Sequence, residues 1–76
     1  MYKCIFNYKY DVNRFGKHET TINHIPQIGE QIIHIDDRDL EVLYKVEHLL
    51  YFERDNVFEI YLTLTGHKDE ILKDWN

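Results

Sequence analysis

The sequence predicts a mainly β fold, and three observations support this class. Polar and apolar residues alternate along most of the chain, which is the period of a strand with one buried face. Ile, Tyr, Phe, Val and Thr favour strands and are plentiful, whereas alanine, the best helix former, is absent. With 76 residues the chain has room for one domain. We expect a small five-stranded antiparallel barrel over residues 1–66 and a short C-terminal helix or tail over residues 67–76.

The first and last predicted strands show the clearest alternation. In residues 2–10 the Tyr, Cys and Phe side chains share one face, and Lys and Asn side chains lie on the other. In residues 57–64 every second residue from Phe58 to Leu64 is apolar. Residues 17–25 are rich in Thr and Ile and predict a second strand, after a loop of Asp, Asn and Gly residues.

The only proline and one of the three glycines stand close together in the stretch I-P-Q-I-G-E. Pro26 cannot donate to a sheet ladder, so strand pairing has to stop there. Gly29 can adopt a positive φ and reverse the chain. The pair predicts a turn that leads into a third strand at residues 30–35, which an acidic turn at residues 36–39 ends.

Residues 40–52 allow two interpretations. As a strand, their alternation changes phase after His48, which predicts a β-bulge or a bend between two sheets. A tight turn at residues 53–56 would then pair this strand with the last one. As a helix over residues 40–50, the same segment would give an α+β fold instead. Agreement with the neighbouring strand favours the bent strand.

Three short stretches resemble a known group of proteins. They are P-Q-I-G-E at residues 26–30, Y-K-V at residues 44–46 and V-F-E-I-Y-L at residues 57–62. This pattern resembles small uncharacterised bacterial and phage proteins that are similar to SH3-like barrels. The resemblance implies an SH3-like version of the predicted barrel and a bacterial or phage source. It implies no catalytic residue.

Charge and cysteine content limit the classes of function. The net charge is −5, which argues against a phosphate-binding surface as the main activity. A single cysteine cannot form an internal disulfide, and no stretch has the length or composition of a membrane span or a signal peptide. We expect a cytoplasmic protein without a membrane partner.

The candidate catalytic and metal-binding residues are few. Cys4 lies in the middle of an aromatic strand face, where a thiol usually packs as a small apolar group. No pair of the five histidines has the spacing of a recognisable metal motif. These histidines are His18, His24, His34, His48 and His67. We expect no enzymatic activity, no metal and no cofactor.

Aromatic residues suggest the leading functional hypothesis. The six tyrosines exceed what a thin core can bury, and small barrels present such rings to peptides. We expect a protein-interaction module, with a protein partner or a second copy of the chain as a homodimer. The predicted partner-binding residues are Tyr8, Tyr10, Tyr44, Tyr61 and Trp75.

Two alternatives belong to other classes. The acidic second half could mimic nucleic acid and inhibit a cationic protein. Its residues are Asp36, Asp37, Asp39, Glu41, Glu47, Glu53, Asp55 and Glu59. A weaker alternative is binding of single-stranded nucleic acid by the rings of the first strand and nearby cations. Those cations are Lys3, Lys9, Arg14 and Lys17.

Overall fold

The computed structural model describes residues 1–75 and shows a mainly β chain. Its elements are β1 Tyr2–Lys9, β2 Phe15–Ile22, β3 Gln31–Ile35, β4 Glu41–Phe52, β5 Val57–His67, the helix α1 Lys68–Ile71 and a 3₁₀ turn Lys73–Trp75. The five predicted strands and the short C-terminal helix are therefore present, but the second strand covers residues 15–22 instead of the predicted 17–25. Asn76, the last residue of the predicted tail, lies outside the described residues.

The five strands form one curved sheet, a half-barrel, in the order β2-β1-β5-β4-β3. The prediction of a purely antiparallel sheet was wrong, because β1 and β5 run parallel, with Phe6 opposite Ile60. Tight turns force antiparallel pairing within each hairpin, but no turn joins β1 to β5, and residue alternation does not encode strand direction. In the part of the chain described, β2 and β3 are the unpaired edges.

The bent strand at residues 40–52 is confirmed, and the helix over residues 40–50 is not formed. Val46 pairs with Leu62 and His48 pairs with Tyr61, so Glu47 is the extra residue of a bulge. This bulge produces the change of phase seen in the sequence. It turns Leu49 towards the same face as Val46.

The Pro-x-x-Gly segment crosses from one edge of the sheet to the other. Residues 23–30 join β2 to β3, which lie about 19 Å apart across four strand spacings of a flat sheet. Gly29 has a φ of 92°, and its N–H donates to the Val46 carbonyl at 2.9 Å. Fully extended, eight residues reach about 28 Å. Because the turn shortens the reach of this segment, the segment spans the sheet more easily when the sheet curves and brings β2 and β3 closer together.

One face of the sheet, the inner face, carries the core. The four fully buried side chains come from β1, β4 and β5: Cys4, Val46, Ile60 and Leu62. Val42 and Tyr44 join this cluster from β4. The opposite, outer face is covered at one end only, where α1 packs on β4 and β5 and Ile71 lies 3.5 Å from the Cβ position of Gly66. No helix in residues 1–75 has both the length and the apolarity to cross a membrane.

Replacing a core residue should cost far more stability than replacing an outer-face residue of the same size. Ile60→Ala removes a fully buried side chain, and we expect it to lower the free energy of unfolding by about 2–5 kcal/mol. Leu50, 49% exposed on the outer face of β4, is the control, and Leu50→Ala should cost less than about 1 kcal/mol. Urea unfolding measures both values. Equal losses would contradict the assignment of the inner face as the core.

Candidate interaction surfaces

Three of the predicted partner-binding tyrosines meet on the inner face. Tyr8 contacts Tyr44 at 5.0 Å and stacks on Tyr10 at 6.2 Å between ring centroids, and the His34 ring lies 5.7 Å from Tyr8. We call these four residues the inner tyrosine cluster. It joins the first strand to the third across the curve of the sheet, and Tyr10 is its most exposed tyrosine. Tyr44 is only 4% exposed, so it supports the cluster and offers little surface to a partner.

A glycine makes room for the exposed ring of this cluster. A Cβ atom on Gly16 would lie 2.5 Å from the Tyr10 hydroxyl, closer than any real contact allows. The ring of Tyr10 can therefore lie against β2 only because position 16 has no side chain. The backbone conformation does not require glycine at position 16, since Gly16 has no positive φ.

The hydroxyl groups of Tyr8 and Tyr44 remain protonated at neutral pH, because their pKa values are raised. Burial is the main cause that raises the pKa of Tyr8, and the neighbouring Tyr44 and Tyr10 raise it further. Burial likewise raises the pKa of Tyr44, with a smaller contribution from Tyr10. These groups can therefore donate or accept hydrogen bonds, but they add no negative charge to the surface.

A groove of about 310 Å³ opens at the end of the cluster. Its apolar wall includes Tyr10, Val42, Tyr44 and Leu64, and two arginines stand at its rim. Arg14 Nε donates to Asp11 Oδ2 at 2.7 Å.

Arg38 Nη2 similarly donates to Asp36 Oδ2 at 3.3 Å. Several hydrogen bonds lower the pKa of Asp36, and the bond that the Leu40 N–H donates has the largest effect. This carboxylate therefore stays charged and offsets the positive charge of Arg38. For Asp11 the Asn13 N–H is the main cause of a lowered pKa, followed by Arg14. Because both guanidinium groups are paired, the rim attracts anions weakly.

The remaining two predicted residues lie elsewhere. Tyr61 is on the outer face, where it lines a second groove of about 570 Å³ together with Phe15 and His48. Its hydroxyl donates to Glu59 Oε2 at 2.6 Å, and this bond is the main cause of a raised pKa for Tyr61. Trp75 lies on the terminal 3₁₀ turn and is 85% exposed. The five residues therefore do not form one continuous surface.

The open edge of β3 is a candidate binding surface that was not predicted from the sequence. The Val46 N–H donates to the Glu30 carbonyl at 2.9 Å and the Asp36 N–H donates to the Leu40 carbonyl at 3.0 Å. Since hydrogen-bonded residues alternate along an antiparallel pair, the even-numbered residues of β3 bond to β4. The backbone groups of Gln31, Ile33 and Ile35 consequently point away from the sheet.

The side chains along this edge are apolar as well. Ile33 is 51% exposed and Ile35 is 60% exposed, both on the outer face. The strand contains no lysine, proline or bulge, the usual devices that prevent pairing with another chain. The signal in the sequence was the run of isoleucines at odd and even positions, more than one buried face requires.

The Cys4 thiol and the possible metal-binding side chains were the candidate reactive groups of this chain. Cys4 is completely buried, and burial raises the pKa of its thiol. Among residues 1–75 no three His, Cys, Asp or Glu side chains lie close enough together to hold a metal ion.

The charged residues of the two alternative functions are separated in space. The acidic turn between β3 and β4 and the acidic turn at residues 53–56 lie at opposite ends of β4, about 37 Å apart for a twelve-residue strand. Glu41 Oε2 forms an ion pair with Lys68 Nζ at a distance of 2.9 Å. The lysine side chains of β1 and β2 lie on the outer face, whereas the tyrosine rings of β1 lie on the inner face. These lysines are Lys3, Lys9 and Lys17. The two acidic turns are therefore far apart, and the rings and lysines of β1 lie on opposite faces of the sheet.

Comparison with protein-family models, curated protein sequences and solved structures finds no match to this chain. Any function must therefore be inferred from the surfaces described above: the inner tyrosine cluster with its groove, the outer groove and the open edge of β3.

The thiol of Cys4 should be unreactive in the folded protein. Because the side chain is fully buried and its pKa is raised, the thiolate that reacts with disulfide reagents is both rare and inaccessible. We expect labelling by an aromatic disulfide reagent to be at least about 100-fold slower in buffer than in concentrated urea. Rapid labelling of the native protein would contradict this arrangement of the core.

Proposed function

We propose that this chain is a non-enzymatic protein-interaction module that binds an extended segment of a partner protein along the open edge of β3. The observation that carries the proposal is an apolar strand whose outward backbone groups have no pairing strand among the described residues. A peptide strand that satisfies those groups extends the sheet, which is a common mode of peptide recognition. Burial of the unreactive Cys4 and the absence of serine from the sequence support a role without catalysis.

Backbone hydrogen bonds supply the sequence-independent part of the affinity. The N–H and C=O groups of Gln31, Ile33 and Ile35 pair with the backbone of the incoming strand. Each such bond contributes roughly 0.5–1.5 kcal/mol net. Six such bonds contribute about 3–9 kcal/mol, whereas a micromolar complex needs about 8 kcal/mol after the costs of association, so side-chain contacts must add to the backbone pairing.

Side chains supply the specificity. Alternate residues of the added strand face opposite sides of the sheet. One set covers Ile33 and Ile35 on the outer face, and the other set packs beside Ile32 and His34 on the inner face. Because His34 belongs to the inner tyrosine cluster, residues on that side can also reach the groove beside Tyr10. The preferred partner is consequently an apolar or aromatic strand of low charge.

The SH3-like resemblance, the bacterial or phage source and a cytoplasmic location belong to the same proposal. A half-barrel with a hairpin at each side is compatible with a small-barrel ancestry. A single buried cysteine is compatible with a reducing compartment. The two alternative functions receive less support, since the acidic turns lie at opposite ends of β4 and the lysines of β1 face away from its rings.

Selection from a library of short random peptides displayed on phage tests the proposal without knowledge of the natural partner. We expect the selected peptides to alternate apolar residues and to lose at least about tenfold in affinity for Ile33→Lys, because the lysine removes an apolar contact and places a charge against an apolar strand that offers it no opposite charge. Leu50→Lys is the matched control, since Leu50 is 49% exposed on the same face but lies on an interior strand. Equal binding by both variants would contradict docking at β3.

The salt dependence of the same binding separates the proposal from the acidic mimic. Docking through backbone and apolar contacts should change its dissociation constant by less than about threefold when the salt concentration rises tenfold. Isothermal titration with a selected peptide measures this. If the protein instead binds only basic peptides, and loses them in high salt, the acidic surface is the functional one.

A further inference from the structure

The edge of β2 also has free backbone groups, and their positions follow from one hydrogen bond. The Tyr10 N–H donates to the Arg14 carbonyl at 2.9 Å, which makes these residues a hydrogen-bonded pair at the end of the β1–β2 hairpin. Alternation along the antiparallel register then assigns the even-numbered residues of β2 to bonds with β1. The backbone groups of Phe15, Lys17, Glu19 and Thr21 therefore point away from the sheet.

The side chains of the same four residues lie together on the outer face, where Lys17 pairs with Asn7 and Glu19 with Ile5 in the register. Both Lys17 and Glu19 are exposed, and neither forms an ion pair within residues 1–75. Phe15 is one of the most exposed aromatic side chains of the sheet. Unlike β3, this edge thus presents one positive and one negative side chain at neighbouring outward positions.

We propose that a second copy of this chain pairs antiparallel with β2 about a two-fold axis at His18. In this register Lys17 lies opposite Glu19 of the partner subunit, and Glu19 lies opposite Lys17 of the partner subunit. Both belong to hydrogen-bonded pairs, with Cα atoms about 5.5 Å apart and side chains on the same face. The charge pattern is therefore complementary to itself, as a two-fold interface requires.

Neighbouring registers are disfavoured by the same charges. Moving the two-fold axis to Lys17 would place two lysines opposite each other, and moving it to Glu19 would place two glutamates opposite each other. Like charges directly across a strand pair are destabilising. Only the axis at His18 keeps the outward backbone groups paired over residues 15–21 with opposite charges facing.

The dimer goes beyond the proposed binding of a partner strand. Pairing through β2 joins the two half-barrels into one continuous sheet and leaves a β3 edge free at each end. The assembly would therefore present two docking edges, and two linked edges bind a bivalent partner more tightly than one. The two interfaces use different strands, so variants at one should leave the other unchanged.

Sedimentation velocity over a range of protein concentrations tests the dimer with charge-reversed variants. We expect Lys17→Glu and Glu19→Lys each to weaken dimerisation at least tenfold, because each places like charges opposite each other twice. Lys45→Glu makes the same change of charge on the outer face of the interior strand β4 and should dimerise like the wild type. The peptides selected on β3 should bind the Lys17→Glu and Glu19→Lys variants equally.

Mixing the two single variants provides a decisive result that misfolding cannot imitate. Lys17→Glu carries two glutamates on its edge and Glu19→Lys carries two lysines, so an equimolar mixture should form a heterodimer at a concentration where each variant alone is mostly monomeric. The double variant, which exchanges the two charges, should recover the homodimer. A monomeric wild type at high concentration, or a mixture that stays monomeric, would overturn the proposal.

Discussion

The parallel pairing of β1 with β5 is the contact on which the rest of the structure depends. It is the strand pairing that joins the β1–β2 hairpin to the β3–β4–β5 meander within the described residues. It also places Cys4 beside the residues of β5 and β4 that are fully buried, so the core forms across this junction. Without it, β1 and β2 would form an isolated hairpin, which is marginally stable at best, and the core residues of β5 would lose their contact with Cys4.

The same pairing explains why the sheet has open edges. When the first and last strands occupy the centre, β2 and β3 must occupy the outside. Proteins usually protect such edges, because free strand edges promote unwanted association. The two edges differ in chemistry: β3 is apolar, whereas β2 carries one lysine and one glutamate, Lys17 and Glu19, at neighbouring outward positions. That difference separates binding of a partner from pairing with a second copy.

Local patterns in the sequence predicted the strands, but they did not predict which distant strands contact each other. The change of phase after His48 correctly predicted the bulge, since the side-chain period of a strand makes one extra residue visible. Asp39 and Asn56 have positive φ values, as the predicted turns require. The direction of β1 relative to β5 could not be predicted, because alternation is the same for parallel and antiparallel neighbours.

The candidate surface was predicted in part for the same reason. Tyr8, Tyr10 and Tyr44 share inner-face positions that alternation reveals, whereas Tyr61 has outer-face parity and could have been separated from them on that basis. Which strands become edges depends on the order of the whole sheet. The sequence could therefore suggest that isoleucines of β3 are exposed, but not that their backbone groups are free.

The map of nuclear Overhauser contacts between backbone protons of neighbouring strands tests the central claim most directly. The structure predicts parallel contacts that step from Cys4 near Phe58 to Tyr8 near Leu62, with no contacts joining β2 to β3 within one chain. Contacts between β2 and β3 of the same chain, or an antiparallel sequence of contacts between β1 and β5, would contradict the open half-barrel and the two edges derived from it.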